Sequence, residues 1–170
     1  MSEPFRLPFL VGPPRLVTIA AWDWAEKGYA VRVLRGKKMR RESGILDEFS
    51  AALQFPYYFG ENWPAIDECL SDLSWLPNTH GYVLIISDAD ELLVDDDDHL
   101  QLLRIFVSML DRLTTEWRQI VSNDGPWDHE PVPFSVVLHA QNVALLRQCQ
   151  ERWTEAGAPI GPQLGQALKT

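Results

Sequence analysis

Only two of the 170 residues are cysteine, Cys69 and Cys149. No disulfide framework holds such a chain, so its fold must rest on an apolar core. Both cysteines lie among apolar neighbours at helical spacing and read as small buried thiols. Basic residues are scarce as well: 15 Lys and Arg face 24 Asp and Glu, for a net charge of −9 and a pI near 4.8. That surface repels phosphate backbones and anionic headgroups, which argues against nucleic acid as a direct partner and favours a basic macromolecule. Long apolar runs are missing too. Pro4, Pro8, Pro13 and Pro14 interrupt every candidate export signal near the start, and no stretch approaches membrane-spanning length. A cytoplasmic protein with no membrane role is expected. Glycine-rich phosphate loops, a nucleophile elbow and a local Cys/His signature are also lacking, which removes the common routes to nucleotide binding and acyl transfer.

What the chain does hold is enough hydrophobic sequence, 46% of its residues, to bury one sizeable core. Residues 1–28 are rich in proline and aromatics and read as an N-terminal extension packed on the main body, with a possible strand over Leu16 to Ala21. Apolar runs at Tyr29–Arg35, Gly81–Ser87 and Phe134–His139 read as three buried strands. Between them, Ile45, Leu46, Phe49, Ala52 and Leu53 recur at helical spacing up to Pro56. Asn62 has the chemistry of a helix cap, with Pro64 tolerated in the first turn and Ile66, Cys69, Leu70 and Leu73 facing inward. Ser87 and Asp90 have the spacing of a capping box. A long helix is predicted from about Asp98 to Val121, ended by Asn123, Gly125 and Pro126, with Asp95 to Asp98 complementing its dipole. A last helix opens at Asn142, and the tail from Gly157 reads as loop. Strands alternating with helices, without hairpin turns, imply an α/β fold with a mainly parallel sheet covered by helices.

The segment Phe55-Pro56-Tyr57-Tyr58-Phe59-Gly60-Glu61-Asn62-Trp63-Pro64-Ala65-Ile66-Asp67-Glu68-Cys69-Leu70 resembles the barstar family, whose hallmark is an aromatic-aromatic-Gly-x-Asn loop opening a helix of acidic and apolar residues. The order of elements from about Ala30 to Leu138 resembles that family's fold as well. The resemblance implies a small, mainly parallel three-stranded sheet covered by helices over residues 29–140. Residues 141–170 then add an extra C-terminal helix and tail. It further implies an inhibitor that plugs the active site of a basic ribonuclease or nuclease toxin domain, with the role of an immunity protein, and implies neither catalysis nor a cofactor. Carried over position by position, the family's contacts fall on Tyr58, Asn62, Trp63, Pro64, Asp67, Glu68 and Ser71, with Trp75 and Ser108 as counterparts of further contacts. Pro64 stands where the best-known inhibitor has an aspartate, Glu68 replaces another aspartate, and Ser108 takes the place of a glutamate. These departures imply a ribonuclease other than barnase as the partner.

Independently of the resemblance, Asp67, Glu68, Ser71 and Asp72 are spaced to line one exposed helical face, flanked by Trp63 and Trp75. An acidic ridge bordered by aromatics suits a cationic cleft, where carboxylates imitate phosphates and aromatic rings anchor. The plain alternative is the solvated side of an amphipathic helix. Two other functional readings stay open: a non-inhibitory acidic interaction module with the same fold, and a hydrolase using Asp88 or Asp90 at the carboxyl end of a parallel strand. His80, His129 and His139 show no metal spacing, and the Asp95–Asp98 run lacks the glycine and terminal glutamate of a calcium loop, so no metal is expected. Lys37, Lys38, Arg40 and Arg41 form the sole basic cluster.

Overall fold

The computed structural model describes residues 9–77, 79–119 and 129–164. Its centre is a five-stranded sheet in the order β2-β3-β4-β1-β5, built from β1 (Phe9–Val11), β2 (Ala30–Arg35), β3 (Tyr82–Ser87), β4 (Phe134–Leu138) and β5 (Ile160–Gln163). Every neighbouring pair is parallel. The expected three-stranded sheet is therefore too small. Two further strands come from segments read as extension and loop, and both are short sequences whose extended state is set by pairing and not by propensity. In β1, Phe9 and Val11 lie opposite Val136 and Leu138 of β4, and on the other side opposite Ile160 and Gln163 of β5. β5 contains Gly161 and Pro162, which suit an edge strand and hide it from sequence patterning.

Five helices accompany the strands: α1 (Pro14–Glu26), α2 (Glu42–Leu53), α3 (Trp63–Asp72), α4 (His99–Glu116) and α5 (Val143–Glu155). The strand expected over Leu16 to Ala21 is instead the middle of α1, which Pro14 opens with its preset φ and which buries Val17, Ala20 and Trp24 at three-and-four spacing. α4 ends at Glu116; the expected end near Val121 and the stop at Asn123 to Pro126 lie outside the described residues. The turn at Ala89–Glu91 starts from Asp88 in the left-handed region (φ 47°) with no side-chain cap, so the Ser87/Asp90 capping box does not form. The Asp run also acts differently from expectation. Asp95 binds Arg40, and Asp96 accepts the Glu42 amide at the start of α2 at 2.8 Å, while Asp98 precedes α4 without a side-chain cap. The basic cluster is likewise spent internally, Arg40 on Glu91 and Asp95, Arg41 on Asp96, and Lys37 on Asp88 at 3.7 Å.

Strand alternation sends side chains to two cores. On one face Phe9, Val11, Leu34, Leu84, Ile86, Phe134, Val136 and Leu138 meet the apolar sides of α2, α3, α4 and α5. On the other, Leu10, Val83, Ile85 and Val137 meet Val17, Ala20 and Trp24 of α1 and Leu164. The outer edge at β2 is closed locally by Glu48, whose carboxylate accepts the Arg35 amide at 2.9 Å and its guanidinium at 2.7 and 2.9 Å. Occupying edge groups in this way limits pairing with another chain. Both cysteines are buried free thiols, and burial pushes the Cys149 thiol up to about 12, which leaves it unreactive. Among the described residues, no helix is long and apolar enough to cross a membrane.

Candidate functional site

The loop between α2 and α3 is built by turning some aromatics in and others out. Gln54, in the left-handed region (φ 53°), ends α2, after which the Phe55 amide donates to Ser50 O and the Phe59 amide to Pro56 O at 2.9 Å. Phe55 packs edge-on against Phe59 at 4.9 Å and Trp75 at 6.0 Å, and the Trp75 indole N–H donates to Leu53 O at 2.9 Å. Those three rings anchor the loop on the core. Tyr57 and Tyr58 consequently face solvent, at 101% and 62% exposure, with their rings edge to face. Asn62 closes the loop as expected: its Oδ1 accepts the Ala65 amide at 2.9 Å, and its Nδ2 donates back to Gly60 O at 3.0 Å. One side chain thus caps α3 and pins the preceding turn.

Along α3 the inward stripe is Ile66, Cys69 and Leu70, which leaves Glu68 and Ser71 exposed and Asp67 and Asp72 half-buried on the outer side. Tyr58, Asn62 and Pro64 are exposed as well, in the loop and first turn that lead into this side of α3. Trp63 and Trp75 are different: each is half-buried, Trp63 against Phe106 at 6.1 Å, so both support the face from beneath. Ser108 is exposed on α4, one helical turn before Arg112. Arg112 escaped sequence reasoning, although it donates to Asp67 across the α3–α4 seam and to Glu116 on its own helix.

With this geometry in view, the family model for barstar, the barnase inhibitor, matches residues 29–139. The chain belongs to the barstar family. Its barstar-family segment spans β2 to the end of β4 and contains the whole loop and α3. Among curated protein sequences none matches the chain. Three solved structures share its fold: the ORC2 protein of Aeropyrum pernix in its ADP form (14% identity, TM-score 0.52, covering 92% of this chain and 42% of that one), a Walker-type ATPase of Pyrococcus abyssi (11%, 0.54, 86% and 44%), and the ADPNP–ADP complexes of the same ORC2 protein (18%, 0.56, 90% and 39%). This barstar-family chain spans less than half the length of those proteins, and at such identities the likeness is one of fold alone.

Nucleotide-bearing neighbours raise the question of whether this barstar-family chain has a phosphate cradle. Open parallel sheets take ligands at the carboxyl ends of the strands, where successive connections leave to opposite faces. Here that point lies between β1 and β4, because α1 follows β1 on one face while α5 follows β4 on the other. A phosphate there is held by the free amides of a helix N-terminus. Pro13 caps α1 and Pro14 opens it, so two successive N–H groups are missing. The Gly12 amide is already donated to Leu138 O at 3.1 Å, and Leu164 Cβ stands 2.9 Å from where a Gly12 side chain would begin. The start of α1 thus lacks two of the amide donors that such a phosphate site uses.

A second polar group at the carboxyl edge is committed only in part. Gln141 Nε2 donates to Asp88 Oδ1 at 2.6 Å. Asp90 Oδ1 and His139 Nδ1 are buried, and neither bonds the other or any described group. Burial pushes the Asp90 carboxyl up, with Glu91 and Asp88 adding to the effect. Among the described residues, no group of three or more His, Cys, Asp or Glu stands where it would hold a metal ion. At His139, burial lowers the imidazole below its ordinary value against the opposing pull of Asp88 and Asp90. Unfolded chain therefore binds a proton that the folded chain refuses, and stability is lost as the pH falls below about 6.5. Replacing His139 with Asn is expected to shrink the loss of unfolding free energy between about pH 7 and about pH 5. Urea denaturation at both pH values reads this, and an unchanged slope would assign the acid sensitivity to other groups.

Proposed function

We propose that this chain is a stoichiometric inhibitor of a basic ribonuclease, acting inside the cell as an immunity protein to a nuclease toxin domain, and that it has no catalytic activity of its own. The observation that carries this reading is the Asn62-pinned loop, which presents Tyr57 and Tyr58 beside the acidic side of α3 within the segment matched by the barstar family. A loop already held by internal hydrogen bonds and ring contacts loses little freedom on docking, so more of its contact energy appears as affinity. The net charge of −9 steers a cationic partner toward the chain, and such association weakens with salt. Tyr58, Asn62, Pro64, Glu68, Ser71 and Asp72 are the contact residues in this reading, with Ser108 at the rim.

The hydrolase reading has less support, because Asp88 is tied to Gln141 and Lys37. The interaction-module reading draws on one observation, the pairing of Asp67 with Arg112, which leaves one carboxylate fewer on this face for a cationic cleft. Co-purification from source lysate at low and high salt separates the two. A salt-released ribonuclease silenced by adding the chain back supports inhibition, and a basic partner without ribonuclease activity supports the module. Glu68→Lys is expected to weaken the recovered complex about tenfold or more without changing the melting temperature, since Glu68 is exposed. Unchanged affinity after that reversal would remove α3 from the interface.

A further inference from the structure

We propose that Arg112 is the specificity-determining residue of the partner face: it engages Asp67 and Glu116 from within and so confines the cation-accepting part of the face to Tyr58, Glu68 and Asp72. The inference rests on reading the loop and α3 as the partner-binding surface. Arg112 Nη2 donates to Asp67 Oδ1 on α3, and Nη1 donates to Glu116 Oε2 one turn further along α4. One guanidinium thus bridges carboxylates from two helices. Glu68 has no ion pair among the described residues, and the Asp72 carboxylate accepts only the Ser74 amide, at 3.2 Å.

Helical spacing explains the division. Asp67 and Ser71 form one ridge of α3, while Glu68 and Asp72 form the next, rotated by one residue. The first ridge meets α4 and its Arg112, and the second adjoins the tyrosine loop. Tyr58 registers this proximity, its phenol being pushed up by loss of hydration and then by the charge of Asp72, with Cys69 and Glu68 contributing less. Along the α4 flank, Ser108 and Arg112 share one line and neither is an acid. A partner cation approaching that flank meets a single net negative charge shared by Asp67, Arg112 and Glu116, whereas one approaching Tyr58 meets two unneutralised carboxylates and an aromatic face suited to guanidinium. The matching partner therefore carries its cations opposite Tyr58, Glu68 and Asp72, and neutral groups opposite Arg112.

The test uses the full chain and a hexalysine peptide at low ionic strength, followed by amide chemical-shift mapping. In the native chain the shifts are expected at Tyr58, Glu68 and Asp72 and to leave Asp67 nearly still. Arg112→Ala should tighten binding about fivefold and bring Asp67 and Glu116 into the map. Arg112→Lys, which keeps the charge, should retain the native pattern, and it guards against a local packing change in the alanine variant. In the native background Glu68→Gln should weaken binding more than Asp67→Asn. Equal losses from Asp67→Asn and Glu68→Gln, an Arg112→Ala variant with native affinity, or a peptide that maps elsewhere would each overturn the assignment. A lysate partner that lacks ribonuclease activity would instead sink the inhibitor reading and leave the role of Arg112 standing.

Discussion

Phe106→Ala is expected to cost about 3–5 kcal/mol of unfolding free energy, a large share of the roughly 5–15 kcal/mol that holds a domain of this kind together. Phe106 is fully buried in the middle of α4, where its ring meets Phe49 of α2 at 5.7 Å, Trp63 of α3 at 6.1 Å and Trp153 of α5 at 6.1 Å. It therefore joins all four helices on that side of the sheet. Truncation leaves three aromatic rings facing a cavity that none of them can fill without leaving its rotamer, and the residual void adds to the lost transfer energy. Trp63 opens α3, so loosening it also weakens the support under the Asn62 cap. Urea denaturation followed by tryptophan fluorescence measures the loss, and faster hydrogen exchange at the Ala65 amide should accompany it. Phe106→Leu keeps most of the volume and should cost less than half as much. A cost under about 1 kcal/mol for the alanine variant would show that the site collapses freely and that Phe106 is no hub.

The helices around the site were legible because each carries a local signal: Asn62 before Trp63-Pro64, Asn142 before Val143, and Ile66, Cys69 and Leu70 at inward spacing. The quoted loop is contiguous in sequence, so its family resemblance could be read without any tertiary information. β1 and β5 left no such trace. A three-residue strand flanked by prolines and a four-residue strand with Gly161 and Pro162 have no periodicity to detect, and they exist because each completes the other's pairing. Leu16 to Ala21 failed for the opposite reason, as a short apolar run does not distinguish a buried helix from a strand. Arg112 was invisible because its partner Asp67 lies on another helix, and a charge on an amphipathic helix reads as solvated until the neighbouring helix is placed. Similarly, the acids at Asp95 and Asp96 looked like dipole partners of α4 but lie against Arg40, Arg41 and the first turn of α2.

The barstar-family segment stands inside a five-stranded parallel sheet whose fold the three solved structures share. At the switch point between β1 and β4, prolines remove donors from the start of α1 and Leu164 closes on Gly12. The loop and α3 lie within the matched segment, where Tyr57 and Tyr58 are exposed.

The placement of β1 sets the second large prediction. Phe9, Leu10 and Val11 are all fully buried; Leu10 enters the core under α1, while Phe9 and Val11 enter the core under the other helices. Leu10→Asp puts a carboxylate among Val17, Trp24, Val137 and Leu164 with no cation in the cluster, a cost on the order of several kcal/mol. That variant is expected to lose its cooperative transition or to melt far below the native chain, whereas Leu10→Val should lose little more than a methylene's worth, about 1 kcal/mol. The same reasoning applies to a fragment of residues 29–140, the segment the barstar resemblance picks out. Without β1 and β5 the edge of β4 lies open, Val137 loses Leu10 and α1, and Phe106 loses Trp153. Such a fragment is expected to be partly unfolded or associated, as read by near-ultraviolet circular dichroism and size exclusion. If it unfolds cooperatively as a monomer with most of the full chain's stability, the barstar-family segment is an independent domain, and β1 with β5 is a later addition to a sheet already complete.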